Sequence, residues 1–111
     1  VKATILDIIQ RHRGQEQAIT AREIGTTLGV RDSRQIRRAI RDLRLEGHPI
    51  ASSPTGTPGY FIPTDPDEAI HCLSVMTNQI REIVVVQRAV GRAFNLALPA
   101  EVQQMSFVEA A

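Results

Sequence analysis

A chain of 111 residues has room for one small domain and an appendage, and its 42% hydrophobic content supports a core of modest size, which excludes two independent enzyme-sized domains. The formal net charge of +1 hides an asymmetry: residues 1–64 hold ten Lys/Arg against six Asp/Glu (+4) and residues 65–111 three against six (−3), so the two parts are expected to meet different partners. One cysteine, Cys72, excludes an intrachain disulfide and a multi-cysteine metal site. The longest apolar run, Ile83–Val86, falls far short of the ~20 residues that span a bilayer, so the expectation is a soluble protein of the reducing cytoplasm with no membrane partner.

Residues 3–12 place Ile5, Leu6, Ile8 and Ile9 at helical spacing, predicting a first helix stopped by Gly14. Thr20-Ala-Arg-Glu23 matches a capping box and opens a second helix running to about Leu28, with Ile24 and Leu28 inward and Gly29 as a left-handed stop. Val30 and Arg31 form a tight connector. Asp32 or Ser33 caps a third helix, and Gln35 is placed to complete a second box; Ile36, Ala39, Ile40 and Leu43 form its buried stripe and Gly47 ends it. Two short extended pieces, about 49–52 and 59–62, flank a Pro/Gly/Thr/Ser turn and predict a hairpin. From Pro66 to Asn95 no proline interrupts the chain. Asp67 and Glu68 stand in the first turn, and Arg88 and Arg92 stand late, predicting a helix of about 45 Å. The β-branched quartet 83–86 reads locally as a strand, but the helical period continues through it. Pro99 closes this segment, and the residues after it form a short helix or a frayed tail.

The third helix carries five arginines between Arg34 and Arg44. At about 100° per residue, Arg34, Arg38 and Arg41 fall within roughly 60° of one another, opposite the apolar stripe, with Arg37 and Arg44 on one flank. Arg38 and Asp42 can form an i,i+4 pair and Glu46 can neutralise a neighbour, yet two acids against five arginines leave +3 on the helix. An ordinary solvated face is the alternative; a polyanionic partner explains why so much uncompensated charge is tolerated.

The stretch ITAREIGTTLGVRDSRQIRRAIRDLRLEGHPIASS, with GYFI after the turn, resembles the winged helix-turn-helix DNA-binding family, in particular the biotin-repressor-type module and small phage or prophage proteins. The resemblance rests on Leu-Gly-Val before the third helix, Gly-x-Pro-Ile leaving it, and Gly-Tyr-Phe-Ile opening the second strand. It implies a mainly α fold with a small β-hairpin wing, a winged helix-turn-helix over residues 1–64; the long C-terminal helix expected over 65–95 and the tail over 96–111 are not part of that module. It also implies double-stranded DNA as partner, with the third helix in the major groove. Ser33, Arg34, Gln35, Arg37, Arg38, Arg41 and Arg44 are then the candidate DNA-binding residues. Arg34 and Arg38 are placed to read guanine and Gln35 to read adenine or touch phosphate, while Arg37, Arg41 and Arg44 are expected on phosphates. Thr20 and Arg22 join them as phosphate candidates, because free amides at a helix N-terminus favour an anion. The wing departs from the usual pattern: residues 48–62 hold no Lys or Arg, only His48, and the hydroxyls of Ser52, Ser53, Thr55 and Thr57 serve turn chemistry as readily as phosphate.

In the long helix, Leu73, Met76, Ile80, Ile83, Gln87, Val90 and Phe94 repeat at spacings of 3 and 4, a heptad seam with one polar member. The flanking positions Thr77, Gln79, Val84, Val86, Gly91 and Ala93 carry no charge, so salt bridges do not choose the partner. A homodimer through this helix is expected, with the tail around Val102, Met105 and Phe107 covering the extra apolar surface of Val84–Val86. His12, His48, His71 and Cys72 stand at no metal-ligand or nucleophile spacing, and Gly56–Gly59 lacks the lysine and helix of a phosphate loop. No enzyme, metal or cofactor is expected. The sequence therefore reads as a dimeric DNA-binding protein, a transcriptional regulator or a phage or prophage factor that marks a site. A protein-interaction module whose arginine face meets an acidic protein is the alternative.

Overall fold

The computed structural model describes residues 1–53 and 56–105, so the expectations placed on Thr55 and Phe107 lie outside the described residues. The chain divides into two compact units, Val1–Cys72 and Leu73–Ala111.

In the first unit, α1 (Lys2–Gln10) buries Ile5 and Ile9. It stops short of the expected residue 12 because the following backbone is used elsewhere. Ile62 donates its N–H to the His12 carbonyl and accepts from Gly14 N–H, both at 2.8 Å. A single 3-10 turn at Gln15–Gln17 leads to α2 (Ala21–Leu28). The capping box at its start is complete: Thr20 Oγ1 accepts from Glu23 N–H at 3.1 Å, and Glu23 Oε1 accepts from Thr20 N–H at 3.1 Å. At its end Gly29 adopts φ +73°, and Val30 N–H donates to the Gly25 carbonyl at 2.8 Å, closing the orphan carbonyls of the last turn.

The next helix, α3 (Ser33–Leu45), is capped by Asp32, as expected of either Asp32 or Ser33. The box expected between Asp32 and Gln35 gives way to a different arrangement. The Asp32 carboxylate accepts from Arg34 N–H at 3.0 Å and pairs with Arg34 Nε at 3.3 Å, a partner one residue nearer and positively charged. Behind α3, Ile36, Ile40 and Leu43 join Ile5, Ile9, Ile19, Ala21, Ile24, Ile50 and Ile62 in one buried cluster. Burying each such large side chain contributes about 1.5–3 kcal/mol, and this shared core fixes α3 against α1 and α2.

Strands β1 (Ala51–Ser53) and β2 (Gly59–Phe61) pair antiparallel, with Ser52 opposite Tyr60. On its other side β2 meets Ile19, whose N–H and C=O exchange bonds with Tyr60 at 2.9 and 2.7 Å. Gly59 makes that approach possible, since a Cβ there would lie 2.4 Å from the Ile19 carbonyl. The Glu68 carboxylate ties the start of the last long helix to the connector after α1, accepting from Thr64 N–H at 2.8 Å and Gln15 N–H at 3.0 Å.

That helix, α4 (Pro66–Ala93), begins in the first unit and continues in the second; its 28 residues span ~42 Å, and it passes through Ile83–Val86 without a break. It ends on a non-glycine left-handed cap. Asn95 has φ +56°, Leu96 N–H donates to the Gly91 carbonyl at 2.8 Å, and Asn95 N–H donates to Arg92 at 3.1 Å. A short helix, α5 (Ala100–Gln103), comes after Pro99. Among the described residues no helix is long and apolar enough to cross a membrane.

Candidate nucleic-acid interface

The apolar stripe of α3 is consumed by the core, so its opposite side faces solvent. Arg34, Gln35, Arg37, Arg38 and Arg41 are exposed there and Ser33 is half-exposed. Local acids neutralise little of this charge. Arg34 is held by Asp32, and Asp42 lies 4.0 Å from Arg41 rather than pairing with Arg38. Glu46 turns away to Lys2 at the start of α1, where it also raises the lysine's pKa through their hydrogen bond. Arg37 and Arg38 have no ion pair among the described residues. Exposed pairs of this kind are weak because water and salt screen them, so a phosphate can displace them at little cost.

Arg44 is oriented differently. Its half-buried side chain donates from Nε to the Ile50 carbonyl at 2.8 Å, and its guanidinium lies 5.5 Å from the centre of the Tyr60 ring. The helical wheel puts Arg44 with the phosphate-facing residues, but the hairpin supplies a nearer acceptor and an aromatic face.

Thr20 is likewise committed. Its hydroxyl accepts from Glu23 N–H and donates to Glu23 Oε1 at 2.9 Å. The backbone N–H and then the hydroxyl of Thr20 hold the Glu23 carboxyl below its ordinary pKa, which keeps a negative charge at the start of α2. Arg22 is exposed beside it. Arg22 also lines a cleft of about 280 Å³ with Arg31, Thr26 and Ser33. Sequence reasoning treats Arg31 as connector only; its position just before a capped, cationic helix is the signal that singles it out.

The hairpin contributes hydroxyls and no cationic side chains. Ser52 and Ser53 are half-buried, and Ser53 Oγ accepts from Gln15 Nε2 at 2.8 Å, while Thr57 is exposed. His12 Nδ1 sits 2.6 Å from the Gln17 carbonyl, a local structural contact. Among the described residues no three His, Cys, Asp or Glu side chains come together as a metal site.

Along α4 the heptad seam is solvent-facing at most positions: Leu73 is 61% exposed, Ile83 67% and Phe94 73%, with Ile80 and Val90 also exposed and Met76 and Gln87 half-buried. Val84 is buried, Val85 and Val86 are exposed, and Val102 and Met105 are half-buried.

Two helices joined by a tight glycine turn, the second presenting a cationic face and followed by a two-stranded hairpin, define a winged helix-turn-helix, a class of DNA-binding module. The chain belongs to this family: the family model described as HTH domain matches residues 4–61, just over half of the chain, and the likeness is to the winged, biotin-repressor-like form. No curated protein and no solved structure matches the chain significantly.

Proposed function

We propose that the protein binds double-stranded DNA as a homodimer and regulates transcription in the cytoplasm, with α3 lying in the major groove. The observation that carries this reading is the solvent-facing side of α3, where Arg37 and Arg38 are in no ion pair among the described residues and Arg34 and Arg41 pair only with exposed acids. Arg34, Arg38 and Gln35, near the amino-terminal end of α3, take base edges; Arg37 and Arg41 take phosphates. Arg44 positions the hairpin instead. A phage or prophage protein that marks a DNA site uses the same binding act for a different process.

The dimer is supported by the exposed apolar seam on α4. A helix of ~42 Å with Leu73, Ile80, Ile83 and Val90 exposed, and Phe94 exposed just past its end, offers a second copy a continuous strip, and Gln87 within it supplies a register-setting amide. A two-fold dimer requires a roughly palindromic site with half-sites about one helical turn apart, or a multiple of that. Sedimentation equilibrium of the chain, alone and with a labelled random-sequence duplex, tests both parts. The expected result is a dimer at micromolar concentration that binds duplex DNA and becomes monomeric in Ile80→Asp/Ile83→Asp. A persistent monomer, or a dimer untouched by the double substitution, removes the α4 interface. If a folded protein shows no duplex affinity at low salt, the arginine face belongs to an acidic protein partner.

A further inference from the structure

The notch between α2 and the turn into α3 is shaped by backbone proximity. Gly25 lies so close to the turn that a Cβ there would stand 2.5 Å from the Val30 carbonyl, and the left-handed Gly29 then reverses the chain. Arg31 is thereby brought to the same cleft as Arg22, with Ser33 and Thr26 completing its polar lining. Neither guanidinium has an ion pair or hydrogen bond among the described residues. The nearby acids are already engaged: Asp32 holds Arg34, and Glu23 closes the α2 cap.

The amino-terminal end of α2 is a poorer seat for an anion than helix polarity alone suggests. The Thr20 hydroxyl has spent its proton and a lone pair on Glu23, and the Glu23 carboxylate, which also accepts from Thr20 N–H, puts a negative charge at the place. Repulsion between like charges therefore works against the attraction that the helix terminus offers an anion.

We propose that the cleft between α2 and the following turn, rather than the amino-terminal end of α2, seats a DNA backbone phosphate between Arg22 and Arg31, with the Ser33 hydroxyl as a third donor. This rests on the DNA-binding reading of α3 and places a phosphate anchor beside the end of that helix that reads bases.

The test is fluorescence anisotropy of the full chain on a labelled random-sequence duplex between about 50 and about 200 mM KCl, with folding of each variant checked by circular dichroism. Arg22→Ala and Arg31→Ala should each weaken binding ~3- to 10-fold, and the double variant should lower the slope of log K against log [KCl] by ~0.9, one phosphate's worth. Arg31→Lys should recover most of the affinity that Arg31→Ala loses. Thr20→Asn, which retains a capping side chain without a hydroxyl, should bind as the wild type does. Wild-type affinity in Arg31→Ala overturns the proposal, as does a double variant that loses twice the single-phosphate slope, since the arginines would then serve separate phosphates. If the wild-type chain itself fails to bind duplex, the DNA reading falls and this site with it; a wild type that binds beside an unaffected Arg31→Ala removes the cleft alone.

Discussion

Replacing Gly25 by alanine sets two effects of opposite sign against each other. Gly25 is interior to α2, where alanine is favoured over glycine by about 1 kcal/mol, so propensity alone predicts a more stable protein. The new Cβ, however, would lie 2.5 Å from the Val30 carbonyl oxygen, about 0.9 Å inside the 3.4 Å at which ordinary contact begins. That neighbour is backbone and cannot rotate away. Overpacking of this kind costs about 1–3 kcal/mol, and moving the turn also strains the 2.8 Å bond from Val30 N–H to the Gly25 carbonyl, worth about 0.5–1.5 kcal/mol. The net expectation is a loss of about 1–3 kcal/mol. Urea unfolding followed by circular dichroism should show a lower midpoint at unchanged slope. Because Val30 leads directly to Arg31, Asp32 and Ser33, duplex affinity should fall as well. A midpoint above that of the wild type would refute the argument, showing that helix propensity governs the position and that the turn is compliant.

Arg44→Met removes a charged donor from the Ile50 carbonyl and a cation from the Tyr60 ring, and should lower stability by about 2 kcal/mol in the same assay while leaving the salt slope of duplex binding unchanged; a reduced slope would return Arg44 to the phosphate contacts. Glu68 supplies a pH signature. The backbone N–H groups of Thr64 and Gln15, with the Thr64 hydroxyl, lower its pKa. Its contribution is therefore present above the unfolded glutamate value of ~4.3 and is lost as pH falls through the lower folded value. Glu68→Gln should be less stable than wild type at neutral pH and lose less stability on acidification, and identical urea midpoints across pH for both proteins would contradict this.

Signals that act over three or four residues were legible in the sequence. The Thr20–Glu23 box, the Gly29 and Gly47 helix ends and the Ile36/Ile40/Leu43 stripe depend on neighbours along the chain, and the structure contains each of them. Features decided by distant partners were not legible. The early end of α1 depends on Ile62, and the bridge between Ile19 and Tyr60 on a glycine forty residues away in sequence. Asn95 ends α4 in the left-handed conformation without the glycine that usually announces it. In the candidate site the wheel angle separates the cationic face of α3 from its apolar one, but it cannot see that the Ile50 carbonyl and Tyr60 draw Arg44 aside or that the turn brings Arg31 to Arg22. The seam on α4 is visible as a period; the second copy proposed to cover it is not.

The arginine face of α3 is tested most directly by selecting preferred sites from a random duplex pool and then titrating Arg38→Ala and Arg41→Ala on the selected site and on unrelated duplexes over a range of salt. Arg38→Ala should cost ~1–3 kcal/mol on the selected site and relax preference at one base pair, whereas Arg41→Ala should weaken all duplexes alike and lower the salt slope by about 1. Wild-type affinity in both variants, with the folded protein still bound to DNA, would contradict the account and move the interface off α3.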